Sequence, residues 1–102
     1  MGKSEFIDIH LDVPSILKDL EGSDQEVKAL FYGSLEKIHA MKSLEELSRG
    51  GFRWEKLEGR FFPKTKKPLY SYRLNRNWRV VCLLHPGPMI EILWVADHDK
   101  AY

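Results

Sequence analysis

The sequence predicts an α+β domain in which an N-terminal strand and helices lie on one face of a small, mostly antiparallel sheet of about four to five strands. Three observations carry that expectation. Residues 69–95 hold three β-favouring runs divided by short turn signals. Residues 23–39 repeat apolar side chains at helical spacing, and residues 6–13 alternate Ile7, Ile9, Leu11 and Val13 with Asp8, His10 and Asp12, the period of a half-buried strand.

Taken in order, the first strand ends at Asp12-Val13-Pro14, where proline suits the first turn of a helix over residues 15–20. Gly22 is its left-handed stop. His10 alternates with the apolar set and faces out, with no role assigned. Ser23 and Glu26 are spaced as a capping box for the longest helix. Along it Val27, Leu30, Phe31, Ser34, Leu35 and Ile38 form one face that lies across the sheet, leaving Lys28, Glu36 and Lys37 outward. His39, near its C-terminus, suits the negative end of the helix dipole. A second box, Ser43 with Glu46, opens a short helix carrying Leu44 and Leu47 and ended by Gly50-Gly51.

Residues 54–57 begin the second half of the sheet. Residues 59–68, with two prolines and no periodicity, read as a loop, a mobile basic arm in which Phe61 and Phe62 either stack bases or anchor the arm to the core. The run Val80-Val81-Cys82-Leu83-Leu84 marks a central strand buried on both faces. Asn75-Arg76-Asn77 before it is a short loop where asparagine tolerates left-handed backbone, and Pro86-Gly87-Pro88 after it cannot continue a ladder. In the last strand Ile90, Ile92 and Trp94 alternate with Glu91 and Leu93, so one face is partly solvated.

With 102 residues, 43% of them hydrophobic, the chain makes one domain spanning 1–102. Cys82 is the single cysteine, which excludes an internal disulfide and favours a reducing cytoplasm. It has no helix N-terminus or histidine beside it to activate a thiolate. No apolar run approaches the ~18 residues of a membrane span, and the N-terminus lacks a signal peptide's apolar centre. Four histidines and one cysteine show no paired metal-ligand spacing, so no metal or other cofactor is expected. Gly59 with Lys64-Thr65 fails as a phosphate-binding loop, because the second glycine is missing and Lys66-Lys67-Pro68 cannot start the helix it needs. His98-Asp99 spells the core of a helical phosphohydrolase signature, but here it follows a strand.

A net charge of +1 conceals a strong asymmetry. Residues 53–79 hold nine Lys/Arg against two Asp/Glu, whereas residues 1–52 hold six against ten. With arginines set between aromatics, this favours a polyanion bound at one face over a solubilising edge.

The order Tyr72-Arg73-Leu74, turn, Trp78-Arg79-Val80-Val81, turn, hydrophobic strand and His98-Asp99-Lys100-Ala101-Tyr102, with Trp54-Glu55-Lys56-Leu57-Glu58-Gly59 upstream, resembles the RelE/ParE toxin superfamily of bacterial toxin–antitoxin modules. The resemblance implies a RelE-like fold and a cytoplasmic, metal-independent endoribonuclease that cuts mRNA on the ribosome, inhibits translation and is silenced by a cognate antitoxin. Two alternatives within the fold stay open: a ParE-like topoisomerase inhibitor, and a catalytically inactive interaction module.

RNA cleavage by a 2′-hydroxyl needs a proton acceptor, cations for the developing charge and an acid for the leaving oxygen. Arg79 and Arg73, on adjacent strands, are the catalytic cations this chemistry would use, and the resemblance assigns the remaining catalytic roles to His98 and Tyr102. Arg79 holds phosphate through two donors, or is a structural arginine paired with an acid such as Glu91. Arg73 is the second cation, with a structural role as its alternative. His98 stands where the family puts a catalytic basic residue and titrates near working pH; the alternative is a histidine that closes the sheet's end, since Asp97 and Asp99 flank it. Tyr102 stacks on a base or donates to phosphate. Lys56, Arg60, Lys64, Lys66, Lys67 and Arg76 are the expected RNA-binding cations.

Overall fold

The structure, a computed structural model, describes residues 7–49 and 51–97. In chain order it contains β1 (Asp8–Leu11), α1 (Val13–Leu20), α2 (Gln25–Ala40), α3 (Leu44–Arg49), β2 (Glu55–Phe61), β3 (Pro68–Arg73), β4 (Trp78–His85) and β5 (Met89–Asp97). The strands form one sheet in the order β1-β5-β4-β3-β2, antiparallel throughout except for the parallel pair β1–β5. The α+β expectation therefore holds, with five strands.

Amphipathic spacing decides where the core sits. Ile16 and Leu20 of α1, Val27, Phe31 and Ile38 of α2 and Leu47 of α3 meet Tyr72, Val80, Cys82, Ile90, Ile92 and Val95 of the sheet. Phe31 is wholly buried, and its truncation to alanine would cost about 3–5 kcal/mol. The other face carries a smaller cluster of Leu57, Leu69, Val81 and Leu83 edged by Phe62, Leu93, Trp94 and Ala96, to which no helix contributes. Val80 to Leu83 are all at most 1% exposed, so β4 is central as its unbroken apolar run requires.

Several local expectations change, each for a physical reason. Residues 59–68 are not all loop. β2 continues to Phe61 because Gly59, at φ 71°, absorbs a register shift between Lys56 and Phe61, and β3 starts at Pro68. Ser23 is not the α2 cap. Asp24 accepts from the Val27 N–H (3.0 Å), while Ser23 Oγ donates to the Leu20 carbonyl (2.7 Å) and closes α1. With that closure Gly22 is not among the glycines at positive φ. Leu30 lies at the margin of the α2 stripe, 37% exposed. The second box forms as expected: the Glu46 N–H donates to Ser43 Oγ (3.3 Å) and Glu46 Oε2 accepts from the Lys42 N–H (2.7 Å).

The alternation in β5 breaks at Leu93. Val81 faces Trp94 while the next residue, Cys82, faces Ile92, so Leu93 is an extra residue in a bulge and Trp94 joins the uncovered face. β1 pairs with β5 only as far as Ile92, beyond which α1 flanks the strand and Asp19 Oδ2 accepts the Val95 N–H (3.1 Å). In the β3–β4 turn, asparagine acts through its side chain: Asn75 Oδ1 accepts from the N–H groups of Asn77 and Trp78, both at 2.9 Å. His39 Nδ1 donates to the Ile7 carbonyl (2.9 Å), tying the end of α2 to the residue before β1.

Candidate functional site

The face that carries no helix is where strand alternation sends the basic row, and Ser71, Val81, Leu83 and Arg79 on it are buried. Arg73 and Arg79 are directly opposite across β3 and β4, and Ala96 continues the row on β5. Opposite residues share a face, and Ala96 belongs to the uncovered cluster. The two arginines named from sequence are therefore neighbours on one side of the sheet, about 5 Å apart at the backbone. One row further along, Glu55, Ser71, Val81 and Trp94 face one another across β2, β3, β4 and β5.

Arg79 is 7% exposed and its guanidinium is paired with an acid, as the structural alternative held, but the acid is Glu55 and not Glu91. Arg79 Nη1 lies 3.5 Å from Glu55 Oε1, an ion pair that reaches over β3. Ser71 is the β3 residue opposite Glu55, and Arg73 the one opposite Arg79. Glu55 keeps 55% of its side chain exposed, so a carboxylate open to solvent stands beside a guanidinium held by packing. Arg73 Nε is buried without a hydrogen-bond acceptor, and Arg73 also borders a cleft of about 330 Å³ with Lys37, Ser34 and Phe52. Sequence reasoning missed Glu55. It could have been found as one of only two acids in the basic segment 53–79.

Glu91 serves elsewhere. Its Oε1 lies 2.9 Å from His85 Nε2, and His85 Nδ1 lies 2.9 Å from Lys67 Nζ. This chain links β5, β4 and the hairpin base, six residues up β4 from Arg79, or about 20 Å at strand rise.

The expected RNA-binding cations are divided among these places. Arg76, in the β3–β4 turn, is exposed near the arginine row; Lys64 and Lys66 are exposed at the β2–β3 hairpin and Lys67 at its base holds His85. Arg60 is exposed on β2. Lys56 faces Tyr70, whose ring stacks on Trp54 on the helix side, so Lys56 is not with Arg79. His98 and Tyr102 lie outside the described residues. Asp97 is opposite Trp78, a helix-side residue, and so projects away from the Arg79 face.

Two further groups bear on chemistry. Burial pushes the Cys82 thiol far above its ordinary range, which leaves it inert as a nucleophile. Burial does the same to the Tyr72 phenol, against a smaller opposing effect of its bond to Ser34. Among the described residues, no three His, Cys, Asp or Glu side chains gather as a metal would need, and no helix is long and apolar enough to cross a membrane.

A five-stranded sheet with a parallel edge strand and helices on one face is the RelE-like fold, which the sequence resemblance implied. Two solved structures share it. A copper-bound mutant toxin from Helicobacter pylori is 19% identical, covering 94% of this chain and 99% of that one with a TM-score of 0.53. The YoeB dimer from Staphylococcus aureus is also 19% identical, covering 90% and 97% with a TM-score of 0.53. The likeness is one of fold. No family model and no curated protein matches the sequence.

Proposed function

We propose that this chain is the toxin of a toxin–antitoxin module, a metal-independent endoribonuclease that cuts mRNA on the ribosome and inhibits translation in the cytoplasm. The observation that supports this most is the Arg79–Glu55 pair on the face the helices leave open. A phosphodiester entering there meets a fork of guanidinium donors, and its charge competes with the carboxylate for them. Glu55, released, takes the proton from the 2′-hydroxyl. The 2′-oxygen attacks phosphorus while Arg79 and Arg73 hold the negative charge that accumulates on the phosphoryl oxygens. The bond from phosphorus to the 5′-oxygen breaks, His98 gives that oxygen its proton, and a 2′,3′-cyclic phosphate and a 5′-hydroxyl result. Tyr102 stacks on the base beside the scissile bond. The remaining cations at Arg60, Arg76, Lys64, Lys66 and Lys67 hold the ribosome and its RNA, and an antitoxin segment covers the same face to silence it.

The test is induction of wild type, Glu55→Gln, Arg79→Ala and His98→Ala in bacteria, with mRNA 5′ ends mapped on ribosomes. Wild type should slow growth and yield new ends, and the variants should lose both. A wild type that does neither leaves a RelE-fold interaction module. If Arg79→Ala and His98→Ala both cut normally, the site is elsewhere.

A further inference from the structure

We propose that the back of the β2–β3 hairpin, formed by Phe61, Pro63 and Lys66, is a second RNA contact that stacks an unpaired base on the opposite side of the sheet from Arg79. The proposal rests on the RNA reading above and adds a place where RNA other than the cleaved strand is held. The two adjacent phenylalanines have different surroundings. Phe62 lies against the uncovered cluster with Leu57, Leu69, Val81 and Leu83, and is an anchor. Phe61 is 56% exposed, the highest value among the exposed large apolar side chains.

The register sets which way Phe61 faces. It pairs with Pro68, which shares a side with Tyr70, and Tyr70 stacks on Trp54 on the helix side of the sheet. No helix residue lines the cleft that Phe61 borders. Phe61, Phe62, Pro63 and Lys66 line a mostly apolar cleft of about 390 Å³ at the hairpin, with Phe61 as its exposed ring.

This platform is built in advance. The Phe62 N–H donates to the Lys67 carbonyl (2.9 Å), the Lys66 N–H to the Phe62 carbonyl (2.7 Å), and the Lys67 N–H to Thr65 Oγ1 (3.3 Å). Lys67 is fixed in turn to His85 and through it to Glu91. An exposed ring on a pinned hairpin loses little freedom when a ligand stacks on it.

Charge selects the occupant. Residues 60–67 contain Arg60, Lys64, Lys66 and Lys67 and no acid. An apolar protein side chain would fill the cleft without needing these cations. A nucleobase needs the ring for its π face and the cations for its phosphates.

The experiment measures binding of a short, labelled, 2′-O-methylated single-stranded RNA, which resists cleavage, to the full chain and to Phe61→Ala, Phe61→Leu, Phe61→Trp and Lys66→Ala. The probe carries 2-aminopurine to report stacking. Phe61→Ala and Phe61→Leu should weaken binding roughly tenfold and lose the fluorescence quench, and Phe61→Trp should retain both. Lys66→Ala should lower the salt slope by about one, a change Phe61→Ala does not produce. Unfolding midpoints should be unchanged for the Phe61 variants, whose side chain is on the surface. Binding by Phe61→Leu or Phe61→Ala equal to wild type overturns the proposal, the first by showing an apolar contact suited to a protein. Wild type that binds no probe overturns the proposal, while the ribonuclease reading stands or falls on the mapping of mRNA ends on ribosomes. Loss of cleavage in Glu55→Gln with intact probe binding keeps the two apart.

Discussion

Arg79 of β4 reaches over β3 to bring Nη1 within 3.5 Å of Glu55 Oε1 on β2, crossing a strand whose Arg73 is opposite Arg79 and whose Ser71 is opposite Glu55. One partner is nearly buried and the other is more than half exposed. Solvent screens the exposed carboxylate, so the pair contributes little net stability, about 0–1 kcal/mol.

That difference yields a first prediction. Glu55→Gln should shift unfolding free energy by less than about 1 kcal/mol while slowing RNA cleavage about 10²–10⁴-fold, the usual effect of losing a general base. Arg79→Lys keeps the charge but loses the fork, and should slow cleavage about 10²–10³-fold. Urea titration and cleavage of a defined RNA on ribosomes check both. A Glu55→Gln variant that cuts normally and unfolds early would make the pair structural.

A second prediction concerns the buried bond between α2 and β3. Ser34 Oγ donates to the Phe31 carbonyl (2.6 Å), so the Tyr72 hydroxyl, 2.9 Å away, donates to Ser34. The two deletions are then unequal. Tyr72→Phe leaves Ser34 satisfied by Phe31 and should cost about 0.5–1.5 kcal/mol, whereas Ser34→Ala orphans a wholly buried hydroxyl and should cost about 1–3 kcal/mol. Equal costs in urea unfolding would mean that Tyr72 finds another partner.

What could be read from the sequence follows how far each feature reaches along the chain. The α2 stripe and the central strand depend on periodicity within a few residues, and Val27, Phe31, Ile38 and Val80 to Leu83 are buried where that periodicity puts them. Gly59 and Leu93 escape it, because a bulge is defined by the partner strand and not by the strand that carries it. Glu55 was hidden for the same reason. Its meaning depends on a residue 24 positions later and two strands away, a relation that needs the register of both β2–β3 and β3–β4. Arg73 and Arg79 were legible because one hairpin fixes their pairing.

Alkaline pH supplies a third prediction. Cys82 and Tyr72 are held protonated in the folded chain by burial, far above their ordinary values of about 8.5 and 10. Unfolding releases a thiol and a phenol that ionise, so above about pH 8.5 the unfolded chain binds fewer protons and stability falls as pH rises. The thiol contributes first, at up to about 1.4 kcal/mol per pH unit, and the phenol joins above about pH 10. Below about pH 8.5 neither contributes any slope. Cys82→Ala should remove the loss between about pH 8.5 and 10, measured as the change in urea midpoint with pH. An identical slope in that variant would refute the assignment to the thiol.

The last prediction is set by the hydrogen bonds of His85. Lysine is only a donor and a carboxylate only an acceptor. With Lys67 Nζ 2.9 Å from Nδ1 and Glu91 Oε1 2.9 Å from Nε2, the neutral ring must carry its proton on Nε2. Imidazole ¹⁵N shifts should show that tautomer where the ring is neutral. Lys67→Met removes the donor to Nδ1 and unpins the hairpin base, so the amides of Phe62 and Lys66, whose bonds close the hairpin, should exchange faster with solvent. The core amides of Val80 to Cys82 should be unaffected, since stability differs locally along a fold. A proton on Nδ1, or hairpin exchange unmoved by Lys67→Met, would detach His85 from the hairpin and leave the Phe61 platform without its support from the sheet.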